Sequence, residues 1–451
     1  MDASAYESFA NTIIDTHKTP GVIVAIKDRY EKGFGYRDVA NKLPVTIETV
    51  FGIGSITKSM TCIAILQLEE RGKLDVQDKV TTHIPELSFP GAEQITIHHL
   101  MTHTSGIPPM NTLFYANKTS MEADGSFDLQ MKLGVPLDAN QKSIETYDDL
   151  IDYLNTTSFT MLGAPGTVFS YSNDGYALLG IIIERVSGQV YADYMEEYLF
   201  SPLEMNATFF DPKYLNEHTA TLLYSADPTA DNPEIEASPG WWDAYSMWSA
   251  GYVKSTARDM IRYGEFFLDP HQGLLSPERI QAMCTPHIQI EPGIYYGYGV
   301  VITPDFFGTT RIDHGGGIKG VSAHFAVLPD KAMSAVCLTN IAGAPAEVLL
   351  NGAVQSELGI EPEAQAIQYP DIALTHADRQ AIVGTYESNE GQVVHAYEKD
   401  DNLYIEIQDH EFETRSVSPR ALTIQLQGDE HLLQFNDGRL QFGFRQLLRK
   451  A

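Results

Sequence analysis

Gly52-Ile53-Gly54-Ser55-Ile56-Thr57-Lys58 opens the most regular helical pattern in the chain. The pattern runs to about Arg71 and stops at Gly72, where a helix-capping glycine belongs. A helix that starts near Ser55 puts Ser55 and Lys58, three positions apart, on one face. Its N-terminal dipole favours developing negative charge at Ser55. A lysine in low-dielectric surroundings gives up its proton more readily. It can then take the hydroxyl proton and turn the serine into a nucleophile. Alone the pair is not distinctive, because a capping serine followed by a solvated lysine has the same spelling.

Two further groups widen the pattern. Tyr171-Ser172-Asn173 precedes a second clear helix, from about Gly175 to Val186, that stops at Ser187-Gly188. A phenol beside an ammonium has its pKa lowered and can shuttle a proton. Asn173 offers a donor and an acceptor to a substrate amide. The plainer alternative is a buried tyrosine with a capping asparagine. His314-Gly315-Gly316-Gly317 lets a backbone approach a ligand closely, and its N–H groups could complete an oxyanion hole. The plainer alternative there is a glycine-rich turn. The order G-x-x-x-x-G-K-[ST] is absent, so this is not a phosphate-binding P-loop.

Working outward, residues 6 to 17 predict an opening amphipathic helix and Gly21 to Ile26 a buried strand, with Phe34-Gly35-Tyr36 on a partner strand. Strand-like runs return at Tyr298 to Ile302, His324 to Leu328 and Met333 to Leu338. Strands at both ends with helices between fit an α+β class, one sheet being built from both ends. Pro108 to Gln141 has weak periodicity and reads as a long loop over a site. Ala226 to Trp242, proline-bearing and ending in Trp241-Trp242, reads similarly. From Gly359 to His376 the chain looks like a linker. Short alternating runs follow at Val394–Glu398, Leu403–Ile407, Leu422–Leu426, Leu432–Phe435 and Leu440–Phe444, which suggests a small antiparallel β-barrel or sandwich.

The 451 residues leave room for one large domain and a smaller one, and 43% apolar residues suffice for a core. The 60 Asp and Glu against 30 Lys and Arg give a formal charge of −30, which disfavours nucleic acid and anionic lipid as partners. The longest apolar run, Tyr176 to Ile183, is far short of the roughly 18 residues a membrane span needs. No leader is legible at Met1-Asp2-Ala3, so the expected location is cytoplasmic, or secreted had a signal peptide been removed. Cys62, Cys284 and Cys337 lie far apart and read as free thiols. His98, His99 and His103 could suggest zinc, but without H-E-x-x-H the expectation is a structural turn and no metal. Trp241-Trp242 could line an acyl pocket or pack under a loop.

Taken together, these groups resemble the serine beta-lactamase and penicillin-binding-protein superfamily, in particular its class C beta-lactamase-like and D-aminopeptidase-like (peptidase S12) members. Ile97-His-His-Leu-Met-Thr-His-Thr-Ser-Gly-Ile107, Pro165-Gly-Thr-Val-Phe-Ser-Tyr-Ser-Asn-Asp-Gly-Tyr-Ala-Leu-Leu-Gly180 and Ser249-Ala-Gly-Tyr-Val-Lys-Ser-Thr-Ala-Arg-Asp259 match longer family fingerprints. The likeness covers residues 5 to 355, and the tail resembles the lipocalin-like domain of some members. The resemblance implies a beta-lactamase/transpeptidase-like domain over 1–358, an antiparallel sheet flanked by helices plus an all-helical subdomain. It also implies a linker over 359–376 and a lipocalin-like barrel over 377–451.

By position, the resemblance makes Ser55 the acylated nucleophile, Lys58 its activator and Tyr171 the general base and later acid. Asn173 would hold the substrate amide, and the N–H groups of Ser55 and Gly317, on the Gly316-Gly317 strand, would form the oxyanion hole. His314, counted with Ser55, Lys58 and Tyr171 among the catalytic candidates, stands where beta-lactamases and carboxypeptidases usually carry a lysine. A largely neutral side chain there implies weak binding of C-terminal carboxylates and beta-lactams. The 116 positions between Ser55 and Tyr171 look longer than usual, with the extra residues near 111 to 145 expected to roof the site. The function so implied is an acyl-enzyme serine hydrolase for small peptide or ester substrates, favouring D-amino-acid amides, with no cofactor. The alternatives are a carboxylesterase or thioesterase/transacylase, and a non-catalytic sensor or binding protein. A homo-oligomer is possible on this reading.

Overall fold

The computed structural model describes residues 3–226, 234–238, 240–269, 273–400, 402–426 and 429–450. Its centre is a nine-stranded sheet made of β1 (Gly21–Ile26), β2 (Tyr30–Asp38), β3 (Leu43–Pro44), β4 (Ile288–Glu291), β5 (Ile294–Tyr296), β6 (Val301–Phe306), β7 (Thr309–Ile318), β8 (Val321–Leu328) and β9 (Met333–Thr339). Their order is β3-β2-β1-β9-β8-β7-β6-β5-β4. The first strand and the last therefore meet in the middle, with Val22 opposite Thr339 and Ile26 opposite Ala335. All six residues of β1 are buried, as an unbroken apolar run requires when both faces are covered. Val22, Val24 and Ile26 pack under helices α1 (Ala3–Thr16) and α5 (Ala346–Glu357), whereas Ile23 and Ala25 face the larger core.

That larger core is organised around α2 (Thr57–Glu70), whose residues Thr57 to Leu68 are buried without interruption. A helix enclosed on all sides holds a charge such as that of Lys58 away from water. Beside it lies α3 (Asn173–Ser187), begun by the Ser172 side chain, which accepts from the Gly175 N–H, and ended by left-handed Gly188. Helix α4 (Ala257–Leu268), capped by Thr256, covers β9.

Several sequence expectations change here. Residues 108–141 are not an open loop. They carry short helices at Thr112–Ala116, Lys118–Asp124 and Ser126–Lys132. Helices this short are set by tertiary bonds rather than by periodicity, such as Thr112 to Asp174 and Asn117 to the Tyr252 hydroxyl. The strand expected from Tyr298 begins only at Val301. Gly299, at φ +71°, lies against the backbone of Lys58 and Ser59 and leaves the sheet. Of the stretch 226–242, residues 227–233 and 239 lie outside the described residues.

The C-terminal part is a second antiparallel sheet of nine strands: β10 (Gly384–Glu387), β11 (Val393–Lys399), β12 (Asn402–Ile407), β13 (His410–Glu413), β14 (Arg415–Ser418), β15 (Ala421–Leu426), β16 (Asp429–Asn436), β17 (Arg439–Phe442) and β18 (Arg445–Arg449). The order is β13-β12-β11-β10-β18-β17-β16-β15-β14. Its two edge strands follow each other directly in the chain, so the sheet curls into a nearly closed barrel. Tyr386, Val394, Ile405, Leu422, Leu433 and Leu447 are among the side chains that fill its interior. The run expected to Phe444 ends at Phe442, because Gly443 and Phe444 form the turn into β18. Among the described residues, no helix is long and apolar enough to cross a membrane.

Candidate active site

Ser55 sits in a 3-10 turn, Gly54–Ile56, immediately before α2 rather than inside its first turn. One helical turn on, Lys58 is completely buried. Its Nζ lies 3.0 Å from Ser55 Oγ, 2.8 Å from Asn173 Oδ1 and 2.5 Å from the Ala250 carbonyl oxygen. It also lies 4.7 Å from the centre of the Tyr171 ring and 5.5 Å from that of Tyr176. Burial drives the Lys58 pKa well below that of a solvated lysine, and the positive Arg445 pushes it down further. Three sequence-distant groups therefore meet at one amine: the start of α2, the start of α3 and the segment Trp248–Gly251.

Tyr171 enters from the strand-like segment before α3. Its hydroxyl is buried with no hydrogen-bond partner among the described residues. The lowered phenol pKa expected from the sequence is not what the site produces. Burial raises it above the ordinary 10, with Ser55 and Arg445 offsetting only part of that effect. Asn173 uses Oδ1 on Lys58, and its Nδ2 meets no partner among the described residues.

The glycines of β7 pass directly beside the Ser55 turn. A side chain on Gly316 would land on the carbonyl oxygen of Ile53, and one on Gly54 would meet the Gly317 N–H. The backbones of 53–55 and 316–317 are thus in contact, the closeness that a pair of converging N–H donors requires. A Cβ on Gly317 would find nothing nearer than the Val321 oxygen, 4.0 Å away.

His314, expected as a catalytic residue with a largely neutral side chain, turns its ring into the protein. Its Nδ1 lies 2.6 Å from the Gly315 carbonyl oxygen and its Nε2 lies 3.0 Å from the Tyr296 hydroxyl. Both ring nitrogens are committed inside the protein, and neither meets Ser55 or Lys58. Burial lowers its pKa to about 4, so it is neutral at pH 7. A further histidine, His103, packs its ring 4.1 Å from that of Tyr171 and accepts the Ser172 N–H at 3.0 Å. His98 instead meets the Tyr298 hydroxyl, and His99 bonds the Thr96 N–H. The three histidines thus face different partners.

Trp241 and Trp242 form one wall beside Gly52 and Ile318. Trp242 Nε1 and Lys319 Nζ both donate to Asp124, at 3.1 and 2.7 Å. The 108–141 segment is thereby tied to the turn after β7, at one side of the site. Two contributors were not legible in the sequence. The Tyr171 N–H donates to the Phe444 carbonyl at 2.8 Å, and Arg445 Nη1 donates to the Tyr171 carbonyl at 2.6 Å. No local motif marks them, because Gly443-Phe444-Arg445 is an ordinary hairpin turn.

A serine, a buried lysine, a tyrosine and an asparagine around one amine, with a glycine strand alongside, form the frame within which the family match falls. The sequence model of the beta-lactamase family matches residues 8–358. The chain belongs to the beta-lactamase family. It is 25% identical over 418 residues to a penicillin-binding protein of Bacillus subtilis, covering 89% of this chain and 86% of that protein. The structure of the octameric penicillin-binding protein homologue from Pyrococcus abyssi is 27% identical, with a TM-score of 0.72 over 100% of both chains. A D-stereospecific amidohydrolase from a Streptomyces species shares the fold at 23% identity, with a TM-score of 0.62 over 79% of this chain and 98% of that one. Membership of this serine-hydrolase superfamily accounts for the α+β domain, and the Pyrococcus homologue matches the C-terminal barrel as well.

Proposed function

We propose that this protein is a serine hydrolase that forms an acyl-enzyme on Ser55 and acts as an amidase or peptidase on substrates containing D-amino acids. The observation that carries this reading is the set of three contacts at Lys58 Nζ. Nζ donates to Ser55 Oγ, Asn173 Oδ1 and the Ala250 carbonyl; once neutral, the amine keeps the last two bonds through its N–H groups and its lone pair accepts the Ser55 O–H. The depressed pKa of Lys58 supports that protonation state. Lys58 then takes the Ser55 proton as Oγ attacks the substrate carbonyl carbon. The N–H groups of Ser55 and Gly317 receive the oxyanion. Tyr171, protonated because its pKa is raised, acts first as the acid that protonates the leaving nitrogen. It serves as base only when water arrives to release the acyl group.

The D preference rests on the D-stereospecific amidohydrolase that shares the fold. The neutral, internally bonded His314 supports substrates without a free carboxylate at that end. The same observation favours a second reading, hydrolysis or transfer of esters and thioesters. We divide the chain into a hydrolase domain (1–358), a linker (359–376) and a barrel (377–451), since the barrel has a separate apolar core. A homo-oligomer is proposed by likeness to the octameric Pyrococcus homologue.

The test is hydrolysis of D-alanine p-nitroanilide against its L-enantiomer, with Ser55→Ala as the blank. D-selective turnover that disappears in Ser55→Ala is expected. Equal rates in Ser55→Ala and the parent would overturn the mechanism. Cleavage of p-nitrophenyl esters alone would move the assignment to the second reading.

A further inference from the structure

The β17–β18 hairpin of the barrel reaches into the site of the other domain. Its tip touches Tyr171 from three directions. The Phe444 carbonyl accepts the Tyr171 N–H, Arg445 donates to the Tyr171 carbonyl, and the Phe444 ring stacks on that of Tyr171 with centres 5.9 Å apart. Gln446 Nε2 donates to the Phe169 carbonyl at 3.2 Å, extending the seam. Both backbone polar groups of Tyr171 are therefore satisfied by the barrel. The Arg445 guanidinium lies 5.2 Å from the centre of the Tyr171 ring, and Lys58 Nζ lies 4.7 Å from the same point. Arg445 is itself held by Glu390, with Nε 3.0 Å from the carboxylate.

We infer that Arg445 is a positioning residue for the Ser55 reaction: it fixes the segment that carries Tyr171 and keeps a second positive charge beside Lys58, so the barrel completes the site. The inference rests on the proposed role of Lys58 and Tyr171. A cation there disfavours the ammonium of Lys58 and favours any phenolate at Tyr171. The first effect keeps the amine ready to accept the Ser55 proton at neutral pH, and the second eases the loss of the Tyr171 proton to the leaving group.

The other titratable groups facing this pair do not offset the effect of Arg445 at neutral pH, Asp174 excepted. The Cys62 thiol, pushed up to about 12 by burial, stays protonated. Tyr176 and Tyr296 stay protonated for the same reason. His103 and His314 are held neutral by burial. Glu390 is the partner of Arg445. Asp174 stands apart because burial raises it to about 6, so it titrates in the working range.

The test follows labelling of Ser55 by a fluorophosphonate, read by intact mass, as a function of pH. Arg445→Gln is expected to move the rising limb up by roughly half to one pH unit. Arg445→Lys should bring it back towards the parent. Glu390→Gln, which leaves the guanidinium uncompensated, should move it down. Repeating the series in Asp174→Asn removes that carboxyl from the profile. Amide hydrogen exchange in residues 165–176 should also quicken in Arg445→Gln. Lower rates with an unmoved midpoint in Arg445→Gln and Glu390→Gln would overturn the inference. A parent protein that does not label would refute the acyl-enzyme reading instead. The exchange comparison would then decide on its own, unchanged exchange overturning the positioning role and faster exchange supporting it.

Discussion

Adjacent glycines in β7 have different jobs. Gly316 has no room for a methyl group, since its Cβ would collide with the Ile53 carbonyl and crowd the Ser55 N–H. Gly317 has that room. Gly316→Ala must push β7 away from the Ser55 turn, so its labelling by a fluorophosphonate should fall by about 100-fold or more, the loss typical of one oxyanion donor. Gly317→Ala should stay within about tenfold of the parent on the same assay. Equal losses would mean that the separation of β7 from the turn does not control Ser55. The sequence singled out Gly317 for its N–H but gave no sign that Gly316 is the member with no room for a side chain. The difference comes from Ile53, 263 positions earlier in the chain.

Among the elements, those with long apolar stretches were legible and those made by long-range contact were not. The apolar run Gly21–Ile26 and the segments of α2 and α3 read correctly because each is a sustained apolar stretch bounded by turn or capping residues such as Gly72 and Gly188. The short helices of 108–141 have no such stretch. Their positions depend on partners such as Tyr252 and Asp174. The hairpin tip at Phe444–Arg445 was missed for the same reason, since its partner Tyr171 lies 274 positions before Arg445 in the chain. The tie between Asp124, Trp242 and Lys319 gives the 108–141 segment a testable task. Asp124→Ala should raise KM for amide or ester substrates by about two- to fivefold, because exposed charge-assisted contacts of this kind contribute about 0.2–1 kcal/mol. Fluorophosphonate labelling should change less than twofold. Matching losses in both assays would instead make the tie a support of the Ser55 turn.

Across the whole molecule, acid acts in opposing ways. Falling pH reduces the repulsion of a chain with formal charge −30, yet it also protonates histidines that the fold holds neutral. Burial lowers His314 to about 4, while an unfolded histidine titrates near 6.5. Between those values the unfolded chain binds more protons, so this contribution is complete above pH 6.5 and is lost as pH falls towards 4. Going from pH 7 to pH 5 removes about 2 kcal/mol on this account. In His314→Gln, denaturant unfolding at the two pH values should show that much less acid destabilisation. Asp174 and Glu291, raised by burial to about 6 and 7, tilt stability the opposite way and do so in both proteins, so they cancel in the comparison. An unchanged pH slope in the variant would refute the assignment. At this scale the two-part architecture was legible, but the docking of the barrel against Tyr171 was not, because the surfaces that meet carry no shared motif.

The pairing of β1 with β9 sets a timetable for biosynthesis. β1 leaves the ribosome about three hundred residues before the strand that covers its second edge. At about 5–20 residues per second, that edge waits roughly 15–60 s. During this interval the nascent chain offers β1 with only β2 beside it, a fully apolar strand with an open hydrogen-bonding side. The central sheet therefore closes only after translation has passed Thr339, and the hairpin that reaches Tyr171 is synthesised later still. Assembly of the site around Tyr171 thus waits for the Phe444–Arg445 tip, more than a hundred residues after Thr339.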